Sequence, residues 1–162
     1  MTIRARDIMQ PDVLTVVPEM SLAELGDLLI ASRVGGVPVV DHGRLVGIVS
    51  RSDIVRSLSL DRSLAGLVTG ASEEEFAPGT VAASPPLPKN LSAKELATRT
   101  VRDVMVVDVV TVAPETPVAD VANVLVERHL HRVLVTEGKA VHGVISVLDL
   151  ARLIGQGRLR EA

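Results

Sequence analysis

The stretch Gly47-Ile48-Val49-Ser50-Arg51-Ser52-Asp53 returns later in the chain as Gly143-Val144-Ile145-Ser146-Val147-Leu148-Asp149. The offset between the two aspartates is 149 − 53 = 96 residues. The same offset joins Arg6-Asp7-Ile8-Met9 to Arg102-Asp103-Val104-Met105. Because no gap is needed across this span, a duplication is the simplest explanation. We therefore expect two copies of one unit, with elements of equal length and the same fold.

Each copy opens with a predicted strand and a helix. The strands Leu14-Thr15-Val16 and Val110-Thr111-Val112 are closed by Pro18 and Pro114. The helices have apolar residues at positions i, i+3 and i+7, which lie on one face; these are Leu22, Leu25 and Leu29 in the first copy and Val118, Val121 and Leu125 in the second. Ser21 with Glu24 signals the first helix start, and Thr116 before Pro117 at the first helical position signals the second.

A hairpin and a second helix complete each copy. In the first copy, strands at 37–40 and 45–49 flank Asp41-His42-Gly43-Arg44, whose Asp and Gly favour a turn. In the second copy, strands at 133–136 and 141–145 flank Glu137-Gly138-Lys139. The last helices begin at Ser50 and Ser146, and the second ends near Gly155. Their predicted apolar positions are Ile54, Val55 and Leu58, and Leu150, Leu153 and Ile154.

The predicted fold class is α+β, with two βαββα repeats related by a pseudo-twofold axis. A unit of about 50 residues buries only part of its apolar face alone, and two such units can cover each other. We assign 1–58 to the first repeat, 59–95 to a linker and 96–162 to the second repeat. The linker carries Glu73-Glu74-Glu75 and several prolines, which disfavour regular structure. Residues 92–99 are predicted to form a short helix.

Composition disfavours several classes of protein. The 162 residues carry a formal net charge of −3, which gives no electrostatic case for binding nucleic acid, so we expect none. Cysteine, tryptophan and tyrosine are absent and Phe76 is the one aromatic residue. This composition excludes disulfides, thiolate metal sites and a stacking platform for bases. No apolar run approaches a membrane span and the first residues do not resemble a signal peptide, so we expect a cytoplasmic protein that does not contact membranes.

Motifs of several enzyme classes are missing. The chain has no Gly-x-Ser-x-Gly elbow, no phosphate loop ending in Gly-Lys and no dinucleotide-binding Gly-x-Gly-x-x-Gly. We expect a protein that is not an enzyme and that has no metal site. His129 and His131 would share a face of a strand, but a metal site needs further ligands. His42 and His142 lie in or near turns without an evident partner.

These residues resemble a cystathionine-β-synthase (CBS) domain pair, also called a Bateman module. The specific elements are the duplicated Gly-h-h-Ser-x-x-Asp (h is apolar), the opening Thr-Val-x-Pro-Glu and the stretch His131-Arg132-Val133-Leu134-Val135. The resemblance implies two repeats packed through their sheets, with clefts between them for adenosyl ligands. It also implies a homodimer of such pairs. The chain would then be a stand-alone sensor that signals to an unknown target protein.

Ligand chemistry selects the candidate residues. Asp53 and Asp149 could accept hydrogen bonds from the two ribose hydroxyls, since bonds to a charged group contribute about 1.5–3 kcal/mol each. Ser50 and Ser146 lie where a helix begins, which favours a phosphate. Gly47 and Gly143 would allow close approach of the ligand. The expected ligand is an adenine nucleotide (AMP, ADP or ATP) or S-adenosylmethionine, with no obligatory cofactor.

The resemblance also implies which residues complete each site. Asp53 and Ser50 would act with Val109, Val110 and Leu130, and Asp149 and Ser146 with Val13, Leu14 and Val34. His131 and Arg132 would reach the phosphates. Because Gly35-Gly36 replaces this pair in the first copy, the site using Asp149 would lack part of its phosphate clamp, and we expect ligand binding to be unequal between the two sites.

Two alternatives remain open. Ser-x-x-Asp is also a capping box, which by itself explains both copies without any ligand. The second alternative concerns the function: a structural protein that dimerises or docks a partner through exposed helices and binds no small molecule.

Overall fold

The computed structural model describes residues 2–57 and 93–157, with side chains from residue 96 onward in the second stretch. In chain order the elements are α1 (Leu22–Ala31), β1 (Gly36–Asp41), β2 (Arg44–Ser50), α2 (51–57), α3 (Ala93–Thr98), β3 (Thr111–Val112), α4 (Val118–Glu127), β4 (Arg132–Glu137), β5 (Ala140–Ser146) and α5 (Val147–Gly155). The α+β class and the strand-helix-strand-strand-helix order are confirmed.

The chain divides into two compact units that do not coincide with the repeats. Unit 1 contains Met1–Leu14, Asp41–Val46 and Asp108–Ala162, and unit 2 contains Thr15–Val40 and Gly47–Val107. The opening segment of each repeat therefore belongs to the unit that holds the body of the other repeat. The repeat boundaries assigned from the sequence stay a prediction. Except for 93–95, the linker assigned to 59–95 lies outside the described residues.

Unit 1 is built on the three-stranded sheet β3-β4-β5. Strand β3 pairs parallel to β4, with Thr111 opposite Leu134, and β4 pairs antiparallel to β5 with an irregularity after Val135. Helices α4 and α5 pack on this sheet. The core joins Ala5, Val112, Val121, Leu125, Val133, Val135 and Ile145. Ala5 comes from a 3-10 turn at Ala5–Asp7 that sequence reasoning did not predict.

Unit 2 repeats this core at the same offset. Its fully or nearly buried side chains include Val16, Leu25, Leu29, Val37, Val39, Val49 and Val101, and each lies 96 positions from a member of the unit 1 core. Val101 begins a second 3-10 turn, Val101–Asp103. The backbone N–H of Val101 donates a hydrogen bond to the Met20 carbonyl at 2.8 Å, which holds this turn in place. The apolar faces predicted for α1 and α4 are confirmed, because all six predicted positions are buried.

Local signals in the sequence account for several element ends. The predicted box at the start of α1 is present, with the Glu24 N–H donating to Ser21 Oγ at 3.2 Å. The hairpin between β1 and β2 turns at His42 and Gly43, whose φ angles are 48° and 76°. Two consecutive positive φ angles are typical of the tight turn that matches strand twist. The short helix predicted at 92–99 is α3, and α5 ends at Gly155 as predicted.

Four details differ from the prediction. The first opening strand is reduced to one bridge between Val16 and Val39, and the second to the two residues of β3. Pro117 occupies the N-cap of α4 rather than its first helical position, because its ψ of 143° is extended. Ile154 is 67% exposed, since it falls outside the buried stripe of α5. Leu58 lies outside the described residues.

Candidate functional site

Ser50 with Asp53 and Ser146 with Asp149 form two matching capping boxes. In each pair the serine N–H donates to aspartate Oδ2 at 2.8 Å, and the serine hydroxyl donates to the same oxygen at 2.6 Å. The aspartate N–H in turn donates to the serine Oγ at 3.3 Å. Both aspartates therefore cap their helices, as the alternative interpretation predicted. Because the cap uses only Oδ2, Oδ1 is left to other donors.

The second carboxylate oxygen meets an arginine in both copies. Arg56 NH1 lies 3.3 Å from Asp53 Oδ1, and Arg152 NH1 lies 3.3 Å from Asp149 Oδ1. The two aspartate side chains are almost equally buried, at 11% and 10% exposure. Asp149 Oδ1 also accepts a hydrogen bond from Gln10 Nε2 at 3.2 Å. Within the residues that the structure describes, the hydrogen-bond partners of the two carboxylates thus match apart from this extra donor.

Asp149 is held in its charged form. Burial raises the pKa of its carboxyl group, but hydrogen bonds from the Ser146 hydroxyl and backbone, from Gln10, and the charge of Arg152 outweigh it. The pKa of Asp149 consequently lies below its ordinary value. A negative charge at this position is suited to accept hydrogen bonds from hydroxyl groups.

At both glycines of the duplicated motif, the space that a side chain would need is occupied by other atoms of the chain. A Cβ atom at Gly143 would lie 2.8 Å from Met9 Sδ and 2.9 Å from the Gln10 carbonyl oxygen. At Gly47 the corresponding atoms are Met105 Sδ and the Val106 carbonyl oxygen, both at 2.9 Å. The opening segment of the other repeat therefore packs closely on each glycine. Whether a ligand also approaches the backbone at Gly47 and Gly143 stays a prediction.

The first residue of each last helix donates a hydrogen bond to the residue that precedes the first strand of the hairpin. The Val147 N–H donates to the His131 carbonyl at 3.1 Å, and the Arg51 N–H donates to the Gly35 carbonyl at 3.0 Å. Arg132 lies opposite Ser146 in the β4-β5 register. The predicted His131-Arg132 pair therefore lies beside the serine of its own repeat, and both side chains are exposed.

The predicted base-lining residues are distributed over both units. Val13 and Leu14 lie in unit 1 with Asp149, Ser146 and Gly143, whereas Val34 lies in unit 2. Asp53, Ser50 and Gly47 lie in unit 2, whereas Val109, Val110, Leu130, His131 and Arg132 lie in unit 1. Val110 and Leu130 are partly buried against the unit 1 core. Their assignment to a ligand stays a prediction.

Sequence reasoning missed two side chains close to the Ser-x-x-Asp motifs. Gln10 was overlooked because its counterpart, Val106, is apolar and the repeat comparison gives no signal there. Arg51 NH2 donates to the Leu29 carbonyl at 3.0 Å, at the end of α1, while its counterpart Val147 has no such group. Both residues lie where the two copies differ. Positions at which a polar residue in one copy replaces an apolar residue in the other were therefore the signal that could have revealed them.

Two histidines and two surface depressions involve no residue of the predicted site. His42 Nδ1 is 2.6 Å from Asp41 Oδ1 and His142 Nε2 is 3.6 Å from Glu137 Oε2, so both have partners that the sequence did not reveal. A depression of about 480 Å³ in unit 1 and an apolar groove of about 160 Å³ in unit 2 contain no predicted site residue. In the described parts of the chain, no group of three or more side chains is arranged to hold a metal ion.

The repeated unit defines a class of protein with tandem β-α-β-β-α domains. The CBS domain family model matches residues 5–60 and 101–156. These matches cover more than half of the chain, and the protein belongs to the CBS domain family. Among the described helices, none has the length and apolar character needed to cross a bilayer.

Known proteins with similar sequences or structures include three informative cases. The zinc metalloprotease MJ0392 of Methanocaldococcus jannaschii is 28% identical over 159 residues, which is 98% of this chain and 34% of that protein. The chain spans about a third to two fifths of the length of the curated relatives that it matches.

Two crystal structures share the fold. The CBS domain pair of MJ0100 in complex with 5′-methylthioadenosine and S-adenosyl-L-methionine has a TM-score of 0.66 at 22% identity, and covers 97% of this chain and 99% of that one. CBSX2 in complex with AMP has a TM-score of 0.67 at 24% identity, with coverages of 96% and 98%.

Proposed function

We propose that this protein is a regulatory module that binds an adenosyl ligand and signals its presence to a partner protein. The observation that carries the proposal is the pair of equivalent, mostly buried carboxylates at the starts of α2 and α5. The similarity to CBS pairs crystallised with AMP and with S-adenosyl-L-methionine supports it. AMP, ADP, ATP and S-adenosylmethionine are all candidate ligands.

Asp53 and Asp149 would each accept a ribose hydroxyl through Oδ1, because Oδ2 is already committed to the helix cap. At Asp149 this hydroxyl would take the place of one of the two donors that Oδ1 already has. The base would lie against aliphatic side chains, among them Val13, Leu14, Val34, Val109, Val110 and Leu130. His131 and Arg132 would contact phosphate groups. We further propose a cytoplasmic protein that catalyses no reaction and, given its net charge of −3, binds no nucleic acid.

The test is isothermal titration calorimetry with AMP, ATP and S-adenosylmethionine. The variant Asp53→Asn/Asp149→Asn keeps the side-chain shape while removing both charges, and we expect it to lose at least 10-fold in affinity, about 1.4 kcal/mol. The matched control is Glu24→Gln, because Glu24 closes the same kind of capping box on α1 without belonging to the proposed site. Equal binding by the native protein and the double variant contradicts the proposal.

A second candidate function is dimerisation or partner docking without a small molecule. Exposed aliphatic side chains on the helices favour it: Ile30 on α1 is 56% exposed, and its repeat counterpart Val126 on α4 is 73% exposed. A ligand at 100 times its dissociation constant raises stability by about 2.7 kcal/mol. If none of the three ligands shifts the melting temperature while Ile30→Lys/Val126→Lys lowers the mass measured by light scattering, this second function is supported instead.

A further inference from the structure

The two carboxylates differ in how many acceptor positions they have available. An ionised carboxylate offers about four lone-pair positions, two on each oxygen. Asp149 has four donors around it, from the Ser146 backbone, the Ser146 hydroxyl, Gln10 and Arg152. Asp53 has three, from the Ser50 backbone, the Ser50 hydroxyl and Arg56. Within the described residues, one position on Asp53 Oδ1 therefore has no donor.

The difference comes from a single substitution between the repeats. Gln10 exchanges two backbone hydrogen bonds with Val144, at 2.9 and 3.0 Å. Val106 exchanges the equivalent bonds with Ile48, both at 2.9 Å. The backbone thus places residues 10 and 106 in equivalent positions beside equivalent aspartates. Only Gln10 has an amide that can donate to the carboxylate.

We infer that Gln10 is an internal competitor for the Oδ1 atom of Asp149, so that the site at Asp53 binds an adenosyl ligand more tightly than the site at Asp149. A ribose hydroxyl must displace the Gln10 amide before it can donate to Asp149. At Asp53 the hydroxyl finds an acceptor position already open. The inference rests on the proposed function, and it assigns Gln10 as a positioning residue that sets the order in which the two sites fill.

The test uses reciprocal exchanges in single-site backgrounds, titrated with AMP by calorimetry. In Asp53→Asn, which leaves the Asp149 site, Gln10→Val should tighten AMP binding about 3- to 10-fold, as expected for removal of one competing hydrogen bond. In Asp149→Asn, which leaves the Asp53 site, Val106→Gln should weaken AMP binding by a similar factor. Gln10→Val in the Asp149→Asn background is the matched control and should change nothing. A general loss of stability cannot produce opposite changes at the two sites.

The outcomes separate this inference from the function on which it rests. If the double variant Asp53→Asn/Asp149→Asn loses AMP binding but neither exchange at position 10 or 106 alters affinity, the competitor role is wrong and the proposed function stands. If the native protein gives no heat with AMP, ATP or S-adenosylmethionine, both are wrong. Tightening by Gln10→Val together with weakening by Val106→Gln confirms the inference.

Discussion

Replacing Gly143 by alanine tests the packing of the opening segment against β5. The added Cβ atom would lie 2.8 Å from Met9 Cγ and Sδ and 2.9 Å from the Gln10 carbonyl oxygen. The Met9 side chain can shift, because its end is flexible. The Gln10 carbonyl cannot shift freely, because it accepts a hydrogen bond from the Val144 N–H at 3.0 Å. The clash must therefore be relieved by displacing backbone.

Overpacking of this kind costs about 1–3 kcal/mol of folding free energy. For a chain of this length, each kcal/mol lowers the melting temperature by about 2–4 °C. We therefore expect Gly143→Ala to melt about 2–12 °C below the native protein. Because the chain has no tryptophan or tyrosine, unfolding is best followed by far-ultraviolet circular dichroism in thermal and urea titrations.

The control is Gly26→Ala in the interior of α1. A Cβ atom there meets nothing within 4 Å, and alanine in a helix is favoured over glycine by about 0.5–1 kcal/mol. The two identical chemical changes should consequently have opposite signs. Equal stabilisation of both variants would show that the segment around Met9 does not pack on Gly143 in solution, and would refute the reasoning.

Three further predictions concern the capping residues. Ser146→Ala removes a cap acceptor of α5 and should destabilise the protein by about 0.5–2 kcal/mol in urea titrations; an unchanged midpoint contradicts this. Because the folded-state pKa of Asp149 lies below its ordinary value of 3.8, the unfolded chain takes up this proton first. The contribution of Asp149 is then complete above that value and is lost as the pH falls through the folded pKa, so Asp149→Asn should flatten the fall in melting temperature below about pH 4. Arg51→Ala should cost about 1 kcal/mol through its lost bond to the Leu29 carbonyl, whereas Val147→Ala should change stability by less than about 0.5 kcal/mol, as judged by urea midpoints.

Local patterns were sufficient to predict most of the elements. The buried faces of α1 and α4 follow from apolar spacing, since a helix places Leu22, Leu25 and Leu29 on one side regardless of context. The box at Ser21 and the turn at Gly43 follow from short-range hydrogen bonding and backbone freedom. The lengths of the opening strands were overestimated, because a strand ends where its pairing with a neighbouring strand ends. Val16 has only one partner residue, Val39.

The candidate site was predictable only in part. The duplicated motif identified both aspartates and both serines, because a capping box is local in sequence. The donors on Asp149 were not predictable in full, since Gln10 is 139 residues away from it in the chain. For the same reason the close packing of Met105 on Gly47 and of Met9 on Gly143 was not predicted.

The sequence by itself determined that the chain is a duplication, which elements each copy forms and which of their faces are apolar, because all of these depend on spacing along the chain. Only the tertiary structure decided that Ala5 completes the core built from the second repeat, while Val101 belongs to the unit built from the first. The physical reason is that both opening turns present a small apolar residue at the same repeat position. Either core could accept either turn as far as residue type is concerned, and the choice depends on the path of the backbone.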